Sequence, residues 1–204
     1  MKSDVIVVGK NQDYTERALR LTEEYAGNLS QKAHLRLHLL AEEMMNLFRS
    51  ITGEMEAEYW IENNSNVYTL HLDTETIMYA EKRKELIELS SKKENAATKG
   101  VIGKIREAFE LALLPEDKRD AIISRYTMLG FTDPTSFSAT TDVELWKMSD
   151  YISAVNNSDD IQFAQEAKDE LEKSIIANLA NEVTIGIVGD KVSMTVEWDA
   201  HNID

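Results

Sequence analysis

Strand patterns near both ends of the chain constrain the fold more than any other feature of the sequence. Two of them form a hairpin pattern around the polar residues 63–66, and two more form a second hairpin around Gly189-Asp190. A β-branched run closed by Gly9 predicts a further, buried strand. The five predicted strands cover residues 5–8, 55–62, 67–73, 183–188 and 192–198. Because both ends supply strands, we expect a two-layer α/β sandwich with a mixed five-stranded sheet and helices on one face.

The middle of the chain has a different character, with helical spacing and loops in place of strands. Apolar residues recur at helical intervals over 77–90, 102–114, 121–129 and 143–155. We therefore expect residues 74–160 to form a helical insertion between two parts of one α/β core, 1–73 and 161–204. Within the second part, apolar spacing predicts one continuous helix over 163–179.

The strongest helical pattern covers residues 30–50. Its core-facing residues are Leu37, Leu40, Ala41, Met44, Leu47, Phe48 and Ile51. Glu42 and Asn46 lie one turn apart on the opposite face, beside Leu35 and Leu39, which suggests that something covers this face. Carboxylate and amide oxygens are the ligands that Mg²⁺ prefers, and a carboxylate can act as a general base. The pair therefore indicates either a cation site or an ordinary exposed helix face.

The same helix offers a second arrangement of possible ligands. His34 and His38 are spaced four residues apart, and Glu42 extends the series by one more turn. Three such side chains can bind a transition metal, although their directions spread around the helix. Ordinary surface histidines are the alternative interpretation.

Charge and composition exclude several classes of function. The formal net charge of −15 argues against a broad nucleic-acid-binding surface and against adhesion to an anionic membrane. No apolar run approaches the roughly 18–20 residues that span a bilayer. The chain has no cysteine, which excludes disulfides and thiolate chemistry. We expect a cytoplasmic protein.

The helix pattern also carries a family resemblance. Residues 39–46, Leu-Leu-Ala-Glu-Glu-Met-Met-Asn, resemble the Glu-x-x-x-Asn N-box of the GHKL, or Bergerat-fold, ATPase superfamily. The closest resemblance is to bacterial anti-sigma-factor serine/threonine kinases. It covers 5–73, where the order of strand, two helices and hairpin is the same. It returns at 175–183 and 192–196, which are similar to the last helix and strands of the family.

The resemblance implies a Bergerat-like fold and a nucleotide-binding regulatory protein that uses ATP and Mg²⁺. It implies that Asn46 coordinates the Mg²⁺ of ATP, that Glu42 is the general base, and that Asp73 accepts a hydrogen bond from the adenine amino group. The helical insertion would replace the ATP lid. The implied partner is a sigma factor or an anti-anti-sigma-like regulator, with a possible homodimer.

The chain also departs from the family pattern. The family follows its Asp with glycines, in an Asp-x-Gly-x-Gly pattern, whereas Asp73 is followed by Thr-Glu-Thr-Ile at 74–77. Glycines there let the backbone approach a nucleotide. Gly100 and Gly103, followed by Lys104, form an alternative phosphate loop at the start of a helix. A non-catalytic protein-interaction module that kept the fold and lost ATP binding is therefore the alternative function.

Overall fold

The computed structural model describes residues 1–9, 12–27, 29–52, 56–75, 101–103, 105, 143–188 and 191–201. The strands in these ranges are β1 (Ile6–Val8), β2 (Ala57–Asn64), β3 (Val67–Glu75), β4 (Val143–Lys147), β5 (Glu182–Val188) and β6 (Lys191–Asp199). The helices are α1 (Gln12–Ala26), α2 (Gln31–Thr52), α3 (Met148–Asn156), α4 (Ile161–Lys173) and α5 (Ile175–Leu179). The helices predicted over 77–90 and 121–129 lie outside the described residues, as does most of the one predicted over 102–114.

The strands form one six-stranded antiparallel sheet in the order β1-β2-β3-β6-β5-β4. This corrects the expected mixed sheet of five strands. The additional strand, β4, occupies the start of the segment predicted as a helix over 143–155. Val143 and Trp146 favour a strand locally, and pairing with β5 supplies the backbone hydrogen bonds. An irregularity between Glu144 and Trp146 interrupts the alternation that would have revealed the strand in the sequence.

The chain divides into two compact units. The first comprises residues 1–74, 172–183 and 194–204, and the second comprises 75–171 and 184–193. In the second unit, β4 pairs with β5 and is followed directly by α3, whose Met148, Tyr151 and Val155 are buried. Burial raises the pKa of the Tyr151 hydroxyl, and Glu170 raises it further. The first unit contains all the residues that position the candidate site.

The predicted core face of α2 is confirmed in the first unit. Of the predicted core-facing residues, Leu37, Leu40, Ala41, Met44, Leu47 and Phe48 are buried, and the side chain of Ile51 lies outside the described structure. Ser30 caps the helix by accepting a hydrogen bond from the Ala33 amide at 3.3 Å. Gly27, with a φ of +46°, ends α1 in the left-handed conformation that favours glycine. Both helix boundaries therefore have local causes.

The hairpin formed by β2 and β3 is also confirmed, with a tighter turn than predicted. Its two central turn residues are Ser65 and Asn66, both with positive φ (53° and 66°), as a type I′ turn requires. Burial alternates from Ala57 to Glu62 in β2 and from Val67 to Thr74 in β3. On the buried face, a hydrogen bond of 2.7 Å joins the hydroxyl of Tyr59 to that of Thr22 in α1. This face therefore packs against α1.

The first strand was predicted to be buried, but it is partly exposed. β1 is the terminal strand in the sheet order, and the side chains of Val5 and Val7 are 49% and 45% exposed. Val8 is buried on the helix-facing side. A run of β-branched residues suits a strand buried on both faces and an edge strand equally well, so its sequence did not distinguish them.

The helix predicted over 163–179 is interrupted. α4 ends at Lys173, and α5 begins after Ser174, whose ψ of 120° is not helical. The Ser174 hydroxyl accepts a hydrogen bond from the Ala177 amide at 3.3 Å and so caps α5. Ile175 is 43% exposed and Ile176 is buried, so the apolar spacing across the break did not describe one helix face.

Candidate functional site

The outward face of α2 carries Glu42 and Asn46, as predicted. Both side chains are exposed, and their spacing of four residues brings them together on one helix face. Leu35 on the same face is 57% exposed, and Leu39 is half-buried. The pair is therefore accessible to a cation or to a partner.

Asp73 lies on β3, where it is directly opposite Glu58 of β2. Side chains alternate between the two faces of a strand, so Asp73 shares a face with His71 and with Trp60, which stacks on that histidine. Tyr59 points to the other face, where it contacts α1. Asp73 therefore lies on the sheet face that points away from the helices.

The structure brings together two of the three residues that the resemblance implicates. Glu42 and Asn46 share the outward face of α2, whereas Asp73 lies on β3, on the sheet face opposite to the one where Tyr59 contacts α1. In the alternative phosphate loop, Gly103 is helical and buried. Gly100 and Lys104 lie outside the described residues.

The histidines of α2 do not form a metal centre within the described part of the chain. His38 Nδ1 lies 3.1 Å from Glu23 Oε1 of α1, so this side chain joins the two helices. Among the described residues, no group of three or more His, Cys, Asp or Glu side chains is placed to hold a metal ion. The geometry in these residues gives no support to the transition-metal interpretation of His34, His38 and Glu42.

Sequence reasoning missed a cluster on the sheet face away from the helices, which we call the open-face cluster: Lys2, Trp60, Glu62 and His71. The rings of Trp60 and His71 stack with centroids 4.6 Å apart and planes inclined by 3°. The Lys2 ammonium lies 4.5 Å from the Trp60 ring centroid. Trp60 Nε1 donates a hydrogen bond of 3.1 Å to Glu62 Oε1.

Electrostatics in the open-face cluster centre on Glu62. Its Oε1 lies 3.7 Å from Lys2 Nζ and 3.9 Å from His71 Nε2. Burial lowers the pKa of His71; Glu62 and Asp73 oppose this effect, and Lys2 adds to it. The cluster could have been found from the hairpin pattern, because a two-residue turn at 65–66 places Trp60 opposite His71.

The fold and these contacts define an α/β protein built on a six-stranded antiparallel sheet. Comparison with protein-family models, with curated proteins and with solved structures finds no match to the chain. Within the described ranges, none of the helices combines the length and apolar character needed to cross a membrane.

Proposed function

We propose that this chain is a cytoplasmic protein-interaction module, a regulatory protein that binds an extended segment of a partner. The observation that carries this proposal is the exposed edge of the sheet at β1, where Val5 and Val7 are about half exposed. The position of Asp73 supports it further, because Asp73 lies on the sheet face opposite to the one that contacts α1, whereas the resemblance implies that Asp73, Glu42 and Asn46 all contact one nucleotide.

The chemistry of the edge defines the partner. Every second residue of an edge strand directs its N–H and C=O groups away from the sheet, where another strand can pair with them. Segment 1–8 follows β2 along its length, since Ser3 N donates to Ile61 O and Asn63 N donates to Met1 O. A partner segment that adds a strand here must be extended and must place apolar side chains beside Val5 and Val7.

Selection of displayed peptides on the purified protein tests this proposal. We expect peptides that bind the wild type to be enriched in alternating apolar residues and to lose binding to Val7→Lys. Leu35→Lys is the matched control, because Leu35 is at least as exposed as Val7 but lies on α2. Peptides that bind Val7→Lys as tightly as the wild type would overturn the proposal.

The second candidate is a nucleotide-binding regulatory protein that resembles an anti-sigma-factor kinase and binds ATP with Mg²⁺. The observation that favours it is the exposed pair of Glu42 and Asn46 on one turn of α2. In this proposal Asn46 holds the metal, Glu42 acts as the general base, and the partner is a sigma factor or one of its regulators.

Thermal unfolding with and without Mg²⁺ and ATP separates the two candidates. Ligand at about 100 times its dissociation constant adds roughly 2.7 kcal/mol to the free energy of unfolding. A shift that Asn46→Ala abolishes, and that the α2 control Lys32→Ala retains, would establish the nucleotide candidate. We expect no shift at millimolar ATP, as the interaction module predicts.

A further inference from the structure

The outer edge of β1 is apolar on both faces of the sheet. Val5 and Val7 lie on the face of the open-face cluster, and Val7 is directly opposite Glu58. Ile6 and Val8 lie on the helix-facing side, where Ile6 is opposite Tyr59. A strand that pairs with this edge and buries its side chains must also be apolar on both faces. Residues 5–8 of a second copy, Val-Ile-Val-Val, have this property.

Charge also favours contact between copies at this edge. The chain has a formal net charge of −15, so two copies repel each other over most approaches. Residues 1–9 carry one cation, Lys2, and one anion, Asp4, and so have no net side-chain charge. Contact through this segment therefore brings together two neutral strips of an otherwise acidic protein.

We propose that β1 pairs with β1 of a second copy, in antiparallel orientation, about a two-fold axis perpendicular to the sheet. The inference rests on the proposed interaction function and identifies the partner segment as the chain's own edge strand. Within the described residues, β1 ends the strand order, so this pairing would join two six-stranded sheets into one. The contact is the same patch on both copies, as a closed dimer requires.

The symmetry makes a specific prediction about register. Directly opposite residues of an antiparallel pair lie on the same face of a sheet. The two-fold axis keeps the helix-facing sides of both copies together, so opposed residues must both have odd numbers or both have even numbers. One residue of segment 5–8 is therefore directly opposite its own copy, and the axis passes midway between the two copies of that residue.

A cysteine scan tests this register, because the chain has no cysteine of its own. Opposed Cα atoms in an antiparallel pair are about 4.5–5.5 Å apart, which lies within the range of a disulfide. We expect one variant among Val5→Cys, Ile6→Cys, Val7→Cys and Val8→Cys to form a covalent dimer rapidly on oxidation. In variants one position before or after that residue, each cysteine lies two residues along the strand from the cysteine of the other copy. These variants should therefore react slowly. Leu35→Cys is the exposed control and should stay monomeric.

Sedimentation equilibrium over the micromolar range tests the non-covalent dimer. We expect the wild-type mass to rise from 23.2 kDa towards twice that value as concentration increases. Val7→Lys places like charges near each other across the axis and should weaken the dimer by at least about ten-fold, whereas Leu35→Lys should not. Added salt should strengthen the wild-type dimer, because it screens the repulsion between the acidic copies.

A wild type that stays at 23.2 kDa at every concentration would overturn the self-pairing, as would rapid cross-linking of Leu35→Cys at the rate of the scanned positions. Peptide binding that depends on Val7 would then still uphold the interaction function, so the two failures are distinguishable. Circular dichroism checks that Val7→Lys is folded. If it is not, the cysteine scan decides the question.

Discussion

The two faces of the β2–β3 hairpin show two different ways of stabilising one element. On the helix-facing side, Tyr59, Leu70 and Leu72 are completely buried. On the other side, Trp60 and His71 are half-buried and are held by stacking and by charged neighbours. The first face depends on the area and volume that it buries, and the second depends on a few specific pairs. Substitutions on the two faces should therefore differ in size and in their dependence on pH.

The largest expected effect is a difference in stability between substitutions at two adjacent residues of β3. Leu70→Ala removes a fully buried side chain and should lower the free energy of unfolding by about 2–5 kcal/mol. Thr69→Ala, on the opposite face, should lower it by less than about 1 kcal/mol. Urea denaturation of both variants measures the difference. Equal losses would show that the two faces are packed alike and would break the comparison.

A smaller effect concerns the hydroxyl of Tyr59. Tyr59→Phe removes its hydrogen bond to Thr22, while Thr22 Oγ1 keeps the bond that it donates to Ala18 O at 2.8 Å. We expect a loss of about 1 kcal/mol in the free energy of unfolding. Tyr25→Phe is the matched control. The Tyr25 hydroxyl is buried with no hydrogen-bond partner in the described structure, so this variant should be unchanged or more stable. A similar loss in both variants would contradict the assignment.

The open face should show its own pH dependence. Burial lowers the pKa of His71, with Glu62 and Asp73 opposing this and Lys2 adding to it. As pH falls below the unfolded value of about 6.5, the unfolded state binds the proton first. Stability that is present above that pH is then lost progressively towards the lower folded pKa. We expect His71→Phe, which keeps the stacked ring, to flatten this part of the profile, whereas His34→Gln should not. Thermal unfolding between pH 7 and 5 measures this pH dependence. If the stability of His71→Phe fell with pH as steeply as that of the wild type, His71 would not be its cause.

The smallest expected effect is the coupling between Lys2 and Trp60. The ammonium lies over the ring at a partly exposed site, where such contacts contribute about 0.5–1 kcal/mol. A double-mutant cycle with Lys2→Met and Trp60→Phe should measure a coupling at the lower end of this range. Zero coupling would mean that the open face is held by the Trp60–His71 stack without help from Lys2.

Elements with purely local causes could be predicted from the sequence. The core face of α2 follows from apolar residues at helical spacing, and its start follows from Ser30. The β2–β3 hairpin follows from alternation and from polar turn residues that accept positive φ. The same alternation places Trp60 and His71 of the open-face cluster on one face of the hairpin. That they are neighbours can be recognised only when the β2–β3 register is known.

Elements that depend on distant partners could not be predicted. β4 is a strand because it pairs with β5, whereas the apolar spacing over the longer segment 143–155 predicted a helix. The break at Ser174 has a local cause, the hydroxyl that caps α5, but the apolar spacing continues through it and concealed the cap. Exposure of Val5 and Val7 follows from the place of β1 at the end of the sheet order.

The sequence by itself determined the core face of α2, the pairing of the first two long strands as a hairpin, and the position of Glu42 and Asn46 on one helix face. These properties depend on spacing and on backbone preferences within a few residues. The tertiary structure decided that Asp73 lies on the sheet face away from the helices, and that β1 is an edge. Which face of a strand is covered, and which strand ends a sheet, depend on long-range packing and pairing. The alternation along β3 marks its apolar face, but no local pattern records what packs on that face or which strand ends the sheet.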